Sequence, residues 1–234
     1  MVIGHRNMPR TYMIVIWLAL VVPSAAHAQG IWLQKGVSGV GAQVTVSHQD
    51  GSSALTLLGG YSYHGFLDFE LSLGAGDANA LDIPDLTVYS LGAALVYHPL
   101  KQTREIPISL KVEASYSQNF YSSDTLSEND ASLSAWGTML AGGAYRFFPL
   151  APRIGVTPEI DLGWSHSSAT ATIFGDSQTA TDDSFVITLG AALAYLDSAG
   201  HIWGAAPVLS FGPGNTPTVF GLSVAFITTL PGAR

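Results

Sequence analysis

The stretch Ile108–Phe120, ISLKVEASYSQNF, alternates apolar and polar residues along almost its whole length. Ile108, Leu110, Val112, Ala114, Tyr116 and Phe120 fall on one face, with Gln118 the only polar residue among them. Ser109, Lys111, Glu113, Ser115, Ser117 and Asn119 fall on the other. A period of two is the period of a β-strand whose faces meet different surroundings. Leu67–Leu73 repeats the pattern, with Leu67, Phe69, Leu71 and Leu73 against Asp68, Glu70 and Ser72. So does Val156–Trp164, where Thr157, Glu159, Asp161 and Gly163 oppose Val156, Ile160, Leu162 and Trp164. Pro158 shares that apolar face and has no N–H to give, so a bulge or kink is expected there.

Outward from these segments, the same period predicts strands at 38–48, 54–63, 66–75, 86–97, 107–120, 132–147, 155–166, 184–196, 202–211 and 218–227. Ten is an even count, as single-chain bacterial barrels have. Eight is the alternative, since Pro207 interrupts 202–211.

Composition decides what those strands face. Hydrophobic residues make up 47% of the 234, and charged residues only 11%, against roughly 25% in a typical soluble domain. Beyond the N-terminus no apolar run approaches the roughly 20 residues of a membrane helix. A chain too apolar for water and without helical spans has the closed barrel as its solution, because closure satisfies every backbone group in lipid. The expected fold is all-β, an up-and-down antiparallel transmembrane barrel with its apolar faces outward. Aromatic residues near strand ends support this: Tyr61 and Tyr63, Tyr89 and Tyr97, Phe120 and Tyr121, Tyr145 with Phe147 and Phe148, Trp164, Phe185 and Tyr195, Trp203 and Phe211. They are placed to form two interfacial girdles.

Residues 1–28 have the three parts of an export signal: His5, Arg6 and Arg10, then apolar Tyr12–Val22, then Pro23 and Ala26-His27-Ala28. Cleavage is expected before Gln29, leaving 29–234 as a single barrel domain. The connections alternate between a set carrying Lys101, Arg104 and Arg153 and a longer, acidic set that includes 121–131 and 167–183. Short turns belong in the periplasm and long loops outside, so both termini are expected in the periplasm. The net charge of −8 leaves no basic patch for nucleic acid.

Asp68, Glu70, Lys111, Glu113, Glu159 and Asp161 fall on inward faces, with Arg146 expected to join them. Buried charges must pair or be hydrated, so these residues form either a salt-bridged plug or the constriction of a narrow, cation-preferring pore. His48, His64, His98, His166 and His201 sit near strand ends without chelate spacing. No metal site, cofactor site or catalytic set is expected, and the chain is not expected to be an enzyme.

In this pattern the chain resembles the small outer-membrane β-barrel proteins, a group that includes transmembrane domains of the outer-membrane protein A type. The resemblance covers 29–234 and is one of pattern. Phe220, Leu222, Val224 and Phe226 resemble the C-terminal signal read by the barrel-assembly machinery, although the chain runs on from Ile227 to Arg234. The resemblance implies outer-membrane lipid, lipopolysaccharide and that machinery as partners. It implies a structural or narrow-pore role, with surface binding through 121–131 and 167–183 as an alternative. A third alternative is lipid A modification: His166-Ser167-Ser168 resembles the His-x-Ser element of outer-membrane lipid A deacylases. No carboxylate stands at that family's position for an acid, and Gln178 is the nearest polar residue.

Overall fold

Each alternating segment becomes a strand because its two faces are solvated differently, and successive strands pair as antiparallel neighbours. The computed structural model describes residues 31–49, 52–78, 85–213, 216 and 218–230; the export segment and its cleavage position lie outside these. The strands are β1 (Gly39–Gln49), β2 (Ser52–Tyr63), β3 (Leu67–Asp77), β4 (Thr87–Leu100), β5 (Ser109–Ser122), β6 (Ala131–Tyr145), β7 (Phe148–Ala151), β8 (Ile154–Ile173), β9 (Asp176–Leu196), β10 (Ile202–Phe211) and β11 (Val219–Thr229). One short helix, α1 (Asp124–Glu128), joins β5 to β6. Its N-terminus is capped by Ser123, whose Oγ accepts from the Leu126 N–H at 3.1 Å.

The ring closes twice over. β1 pairs with both β2 and β11, and β6 pairs directly with β8. All strands but β7 therefore form a closed antiparallel barrel of ten, and β7 is a short addition on β8. The alternation predicts one strand over 132–147, whereas β6 stops at Tyr145 and the chain turns into the β7 hairpin. Pro207 lies within β10 as expected; its pairing to β11 continues, while pairing to β9 lapses beside it. Pro158 causes no bulge: β8 and β9 stay in register through Thr157, Pro158 and Glu159. On the other side β6 is ending there, with Tyr145 opposite Glu159, so the missing N–H interrupts no ladder.

The largest departure from sequence expectation is the length of β8 and β9. Residues 167–183 do not form an irregular loop. They continue the two strands into a hairpin paired from Ile154↔Tyr195 to Ile173↔Asp176. The tip, Phe174-Gly175, has φ of 51° and 84°, the paired positive values of a type I′ turn that matches strand twist. Segment 121–131 is likewise partly regular, containing the end of β5 and α1.

Facing follows the alternation. Leu71, Leu73, Leu110, Leu140, Leu162, Leu193 and Leu222 point outward and are exposed. Gln43, Thr45, Ser62, Asn119, Thr157, Ser165 and Ser223 point inward and are buried. Tyr63, Tyr97, Tyr195 and Trp203 mark one rim of the outer surface, and Tyr89, Phe120, Trp136, Trp164 and Phe185 the other. Two tyrosines expected in these girdles are inside instead: Tyr121 and Tyr145 are buried in the lumen. Both occupy the inward parity of their strands, and they pack across the barrel mouths.

Candidate functional site

The barrel has a terminal end, where β1 begins and β11 finishes, and a far end. The terminal mouth is filled by residues just before β1. Ile31 packs with Val96 and Tyr145, and Trp32 lies against that cluster. A Cβ on Gly204 would sit 2.6 Å from the Trp32 ring, so the glycine leaves the space the indole occupies. The segment is tied by a hydrogen bond from Gly36 N–H to His64 C=O at 2.9 Å. A second runs from Lys101 Nζ to Leu33 C=O at 3.4 Å. Burial holds the Lys101 ammonium down at about 8, against the pull of Asp68.

Behind this segment, Tyr145 Oη lies 2.9 Å from His98 Nδ1, and His98 Nε2 lies 3.0 Å from Asp68 Oδ2. All three side chains are buried. One level further in, Lys111 contacts Glu159 and reaches Asp161 at 3.2 Å, with Glu70 and Glu113 buried nearby on β3 and β5. The structure thus brings Asp68, Glu70, Lys111, Glu113, Glu159 and Asp161 into the lumen, as their parity predicts. Arg146 is not among them. It is exposed past the end of β6, on the outward parity, with its guanidinium 4.6 Å over the Phe148 ring.

Beyond the charges the lumen widens into a cavity of about 110 Å³, floored by Glu70, Glu113 and Asp161 and walled by Thr45, Ser115 and Thr188, among others. A polar space of that size holds a few waters. The far mouth is closed on one side by an apolar cluster of Ala78, Leu86, Tyr121, Leu133, Ala135 and Ala169, with Leu126 of α1 against it.

On the outer surface of β8 and β9 the side chains change character in one step. Trp164 opposite Phe185 is the last large apolar pair; next come His166 opposite Asp183, then Ser168 opposite Thr181. His166 Nδ1 lies 2.8 Å from Asp183 Oδ1, and its ring sits 5.4 Å from that of Trp136 and 6.1 Å from that of Trp164. A carboxylate therefore faces His166 across the strand pair. A tight turn at Phe174-Gly175 sets that pairing by simple counting, although the polar run around it predicts a loop. Past this level Thr170 and Thr179 share a hydrogen bond at 3.0 Å, as do Thr172 and Ser177 at 2.9 Å.

At the terminal end, Asp197 closes the β9–β10 turn by accepting from the N–H groups of Ala199 and His201. These bonds, the His201 N–H first, hold its carboxyl down at about 2. Phe220, Leu222 and Val224 lie exposed on the outer face of β11. The Phe226 ring lies tilted against that of Trp203, 4.7 Å between centroids, and the strand continues past it to Thr229.

A closed antiparallel barrel, apolar outside between two aromatic rims and polar within, defines a membrane-spanning β-barrel protein. No protein-family model and no curated protein matches the sequence. Among solved structures it is similar to Ail, the attachment invasion locus protein of Yersinia pestis (15% identity, 84% of this chain and 100% of that one, TM-score 0.42). It is also similar to the translocator domain of the autotransporter NalP from Neisseria meningitidis (10% identity, 84% and 89%, TM-score 0.47). A third is the outer membrane protease OmpT from Escherichia coli (9% identity, 82% and 92%, TM-score 0.43). Likenesses this distant leave the chain's own residues to define its role.

Proposed function

We propose that this protein is an outer-membrane structural barrel with a closed, net acidic lumen, both termini in the periplasm, and the β8–β9 ribbon held out into the medium. The observation that carries the reading is the lumen's occupancy at successive levels. Trp32 and Tyr145 fill the terminal mouth, Lys111 with Glu159 and Asp161 crosses the middle, and Leu86, Tyr121 and Leu133 pack at the far end. A chain of such contacts anchors and stiffens a barrel better than it passes solutes. Outer-membrane lipid and lipopolysaccharide surround the apolar belt, and the barrel-assembly machinery inserts the chain through Phe220, Leu222, Val224 and Phe226. The refolded full chain in a planar bilayer is expected to show no steady current steps. Regular cation-selective steps would favour the narrow-pore alternative.

A second reading rests on one specific observation, the His166–Asp183 pair at the aromatic rim. In the tautomer with the proton on Nδ1, Asp183 orients the ring, and Ser168 follows two residues along on the same face. An oriented base is one part of the arrangement nucleophilic acyl transfer uses; Ser168 is itself buried, so on this reading its hydroxyl turns toward His166 when a lipid headgroup binds. Mass analysis of lipid A from cells overproducing the wild type and Ser168→Ala tests it. Loss of an acyl chain with the wild type alone supports the enzyme, and identical lipid A in both removes it.

A further inference from the structure

The barrel is not equally tall around its circumference. β10 leaves β9 at Phe211↔Ile187, yet β9 runs on to Asp176, paired on its other side with β8. Among the described residues, no strand covers the outer edge of β9 from Asp176 to Ser184. An uncovered edge presents a row of N–H and C=O groups in strand geometry, a template for another strand. Exposed edges are normally blunted by lysine, proline, bulges or brevity. Here Ser177, Gln178, Thr179, Ala180 and Thr181 carry no charge and no proline, and the β8–β9 register has no break.

The edge is also held ready. β8 is backed by β6 as far as Ala131↔Ile173, and Phe174 N–H donates to Asp130 C=O at 3.2 Å across the tip. The two-residue turn fixes the register. From His166 to Ile173 the ribbon runs about 25 Å at roughly 3.3 Å per residue, and its outer face past Trp164 is polar. A partner strand would find a rigid template in water and lose little of its binding free energy to ordering the barrel.

Charge selects the partner. Asp176, Asp182 and Asp183 flank the uncharged centre, and there is no lysine or arginine anywhere from Ile154 to Leu230. A second copy is a poor occupant: side by side in one membrane, two β9 strands run the same way. In-register pairing would stack Asp176, Asp182 and Asp183 each on itself, and like charges directly opposite are destabilising. We propose that the outer edge of β9 between Asp176 and Ser184 is a strand-addition site for an extended cationic polypeptide segment. Backbone hydrogen bonds supply the pairing and lysine or arginine at the segment's ends meets the flanking aspartates.

This rests on the proposed orientation only for where the partner comes from; the edge itself is tested free of any membrane. The refolded full chain in zwitterionic detergent is titrated with a fluorescent eight-residue peptide of alternating threonine and valine flanked by lysines. Saturable binding is expected, with slowed amide exchange in residues 177–183. Methylating alternate backbone nitrogens of the peptide keeps its charge but removes its ladder, and weakening by at least about tenfold is expected. Glutamate flanks in place of lysines are expected to abolish binding. The doubly neutralised Asp176→Asn, Asp182→Asn protein is expected to bind the lysine peptide more weakly. Equal binding of the methylated peptide would reduce the effect to charge alone and overturn the proposal. So would dimers sedimenting through this edge without peptide. Surface labelling of the ribbon on cells is a separate experiment, and its failure would overturn the orientation while leaving the peptide result standing.

Discussion

Gly143 and Asp161 face each other across the β6–β8 ladder, and the missing Cβ at Gly143 lets the Asp161 carboxylate reach Lys111. A Cβ there would overlap the carboxylate and stand 3.0 Å from Lys111 Cε. Lys111 lies on β5 opposite Gly143 and Asp161 on β8 opposite the same residue, so their bond passes over the intervening strand where Gly143 has no side chain. Gly143→Ala is expected to push the pair apart and destabilise the barrel by about 1–3 kcal/mol, as overpacking does. Lys111→Met strands buried carboxylates without their cation, and is expected to cost about 3–5 kcal/mol. Adding Glu159→Gln and Asp161→Asn to Lys111→Met should restore much of the loss. Urea unfolding in lipid vesicles measures all three.

The two faces of one strand should answer differently to charge. Leu71 is the most exposed of the outward leucines, and Leu162 shares its environment. Leu71→Arg and Leu162→Arg are expected to cost about 2–4 kcal/mol each if they lie at the bilayer midplane. Ser115 lines the acid-floored cavity, and Ser115→Lys should cost clearly less. Equal costs from vesicle unfolding would reverse the assignment of inside and outside.

Most of this architecture is legible in the sequence because a strand between lipid and a polar lumen writes its facing into every second residue. Ile108–Phe120 and Leu67–Leu73 thus give both strand and parity, and parity places Asp68, Glu70, Lys111, Glu113, Glu159 and Asp161 inside. Parity fails where the surroundings stop differing. Above Trp164 the outward positions of β8 and β9 turn to histidine, serine, threonine and aspartate, while the inward ones of β8 stay small, with Ala169 and Ala171 packed at the far mouth, so the apolar–polar alternation is lost and the ribbon looks like loop. Arg146 defeats the inward expectation because the inward positions of β6 are small apolar residues such as Ala135, Ala141 and Gly143, which hide the parity that puts Arg146 outside. Tyr121 and Tyr145 looked like girdle residues because composition near a strand end does not say which side a ring takes. Trp32 belongs to no alternating segment, and only Gly204 across the barrel marks its place.

The segment that carries Trp32 should respond to pH. Lys101 donates to Leu33 C=O from a half-buried position whose desolvation lowers its ammonium to about 8, below the 10.5 of an exposed lysine. Between those values the released segment leaves Lys101 solvated and protonated, whereas the docked state holds it neutral. The state binding fewer protons gains as pH rises, so docking should strengthen from pH 8 to 10.5 and be weakest below 8. The chain has no cysteine, so a single Leu33→Cys reports docking through its labelling rate, corrected for thiolate content. Labelling should slow across that range, and Lys101→Met should flatten the dependence. Removing residues 29–36 should raise bilayer leakage if this segment seals the mouth.

Orientation governs every surface role, and the distribution of charge argues for one answer. Among the described residues, Lys35, Lys101, Arg104, Lys111, Arg146 and Arg153 all lie in the terminal half, whereas Asp77, Asp124, Glu128, Asp130, Asp176, Asp182 and Asp183 lie at the far end. The far end also carries the ribbon, whose polar outer face belongs in water. A tag for this question must avoid Gln102, since its side chain bonds the Phe147 backbone in both directions, at 2.9 and 3.2 Å, and an insertion there would loosen two turns at once. Arg104 is exposed in the same connection. An epitope inserted at Gly175 is expected to be labelled by antibody on intact cells, while one after Arg104 should need permeabilisation. The reverse pattern would put the ribbon in the periplasm and remove every reading in which it meets the medium.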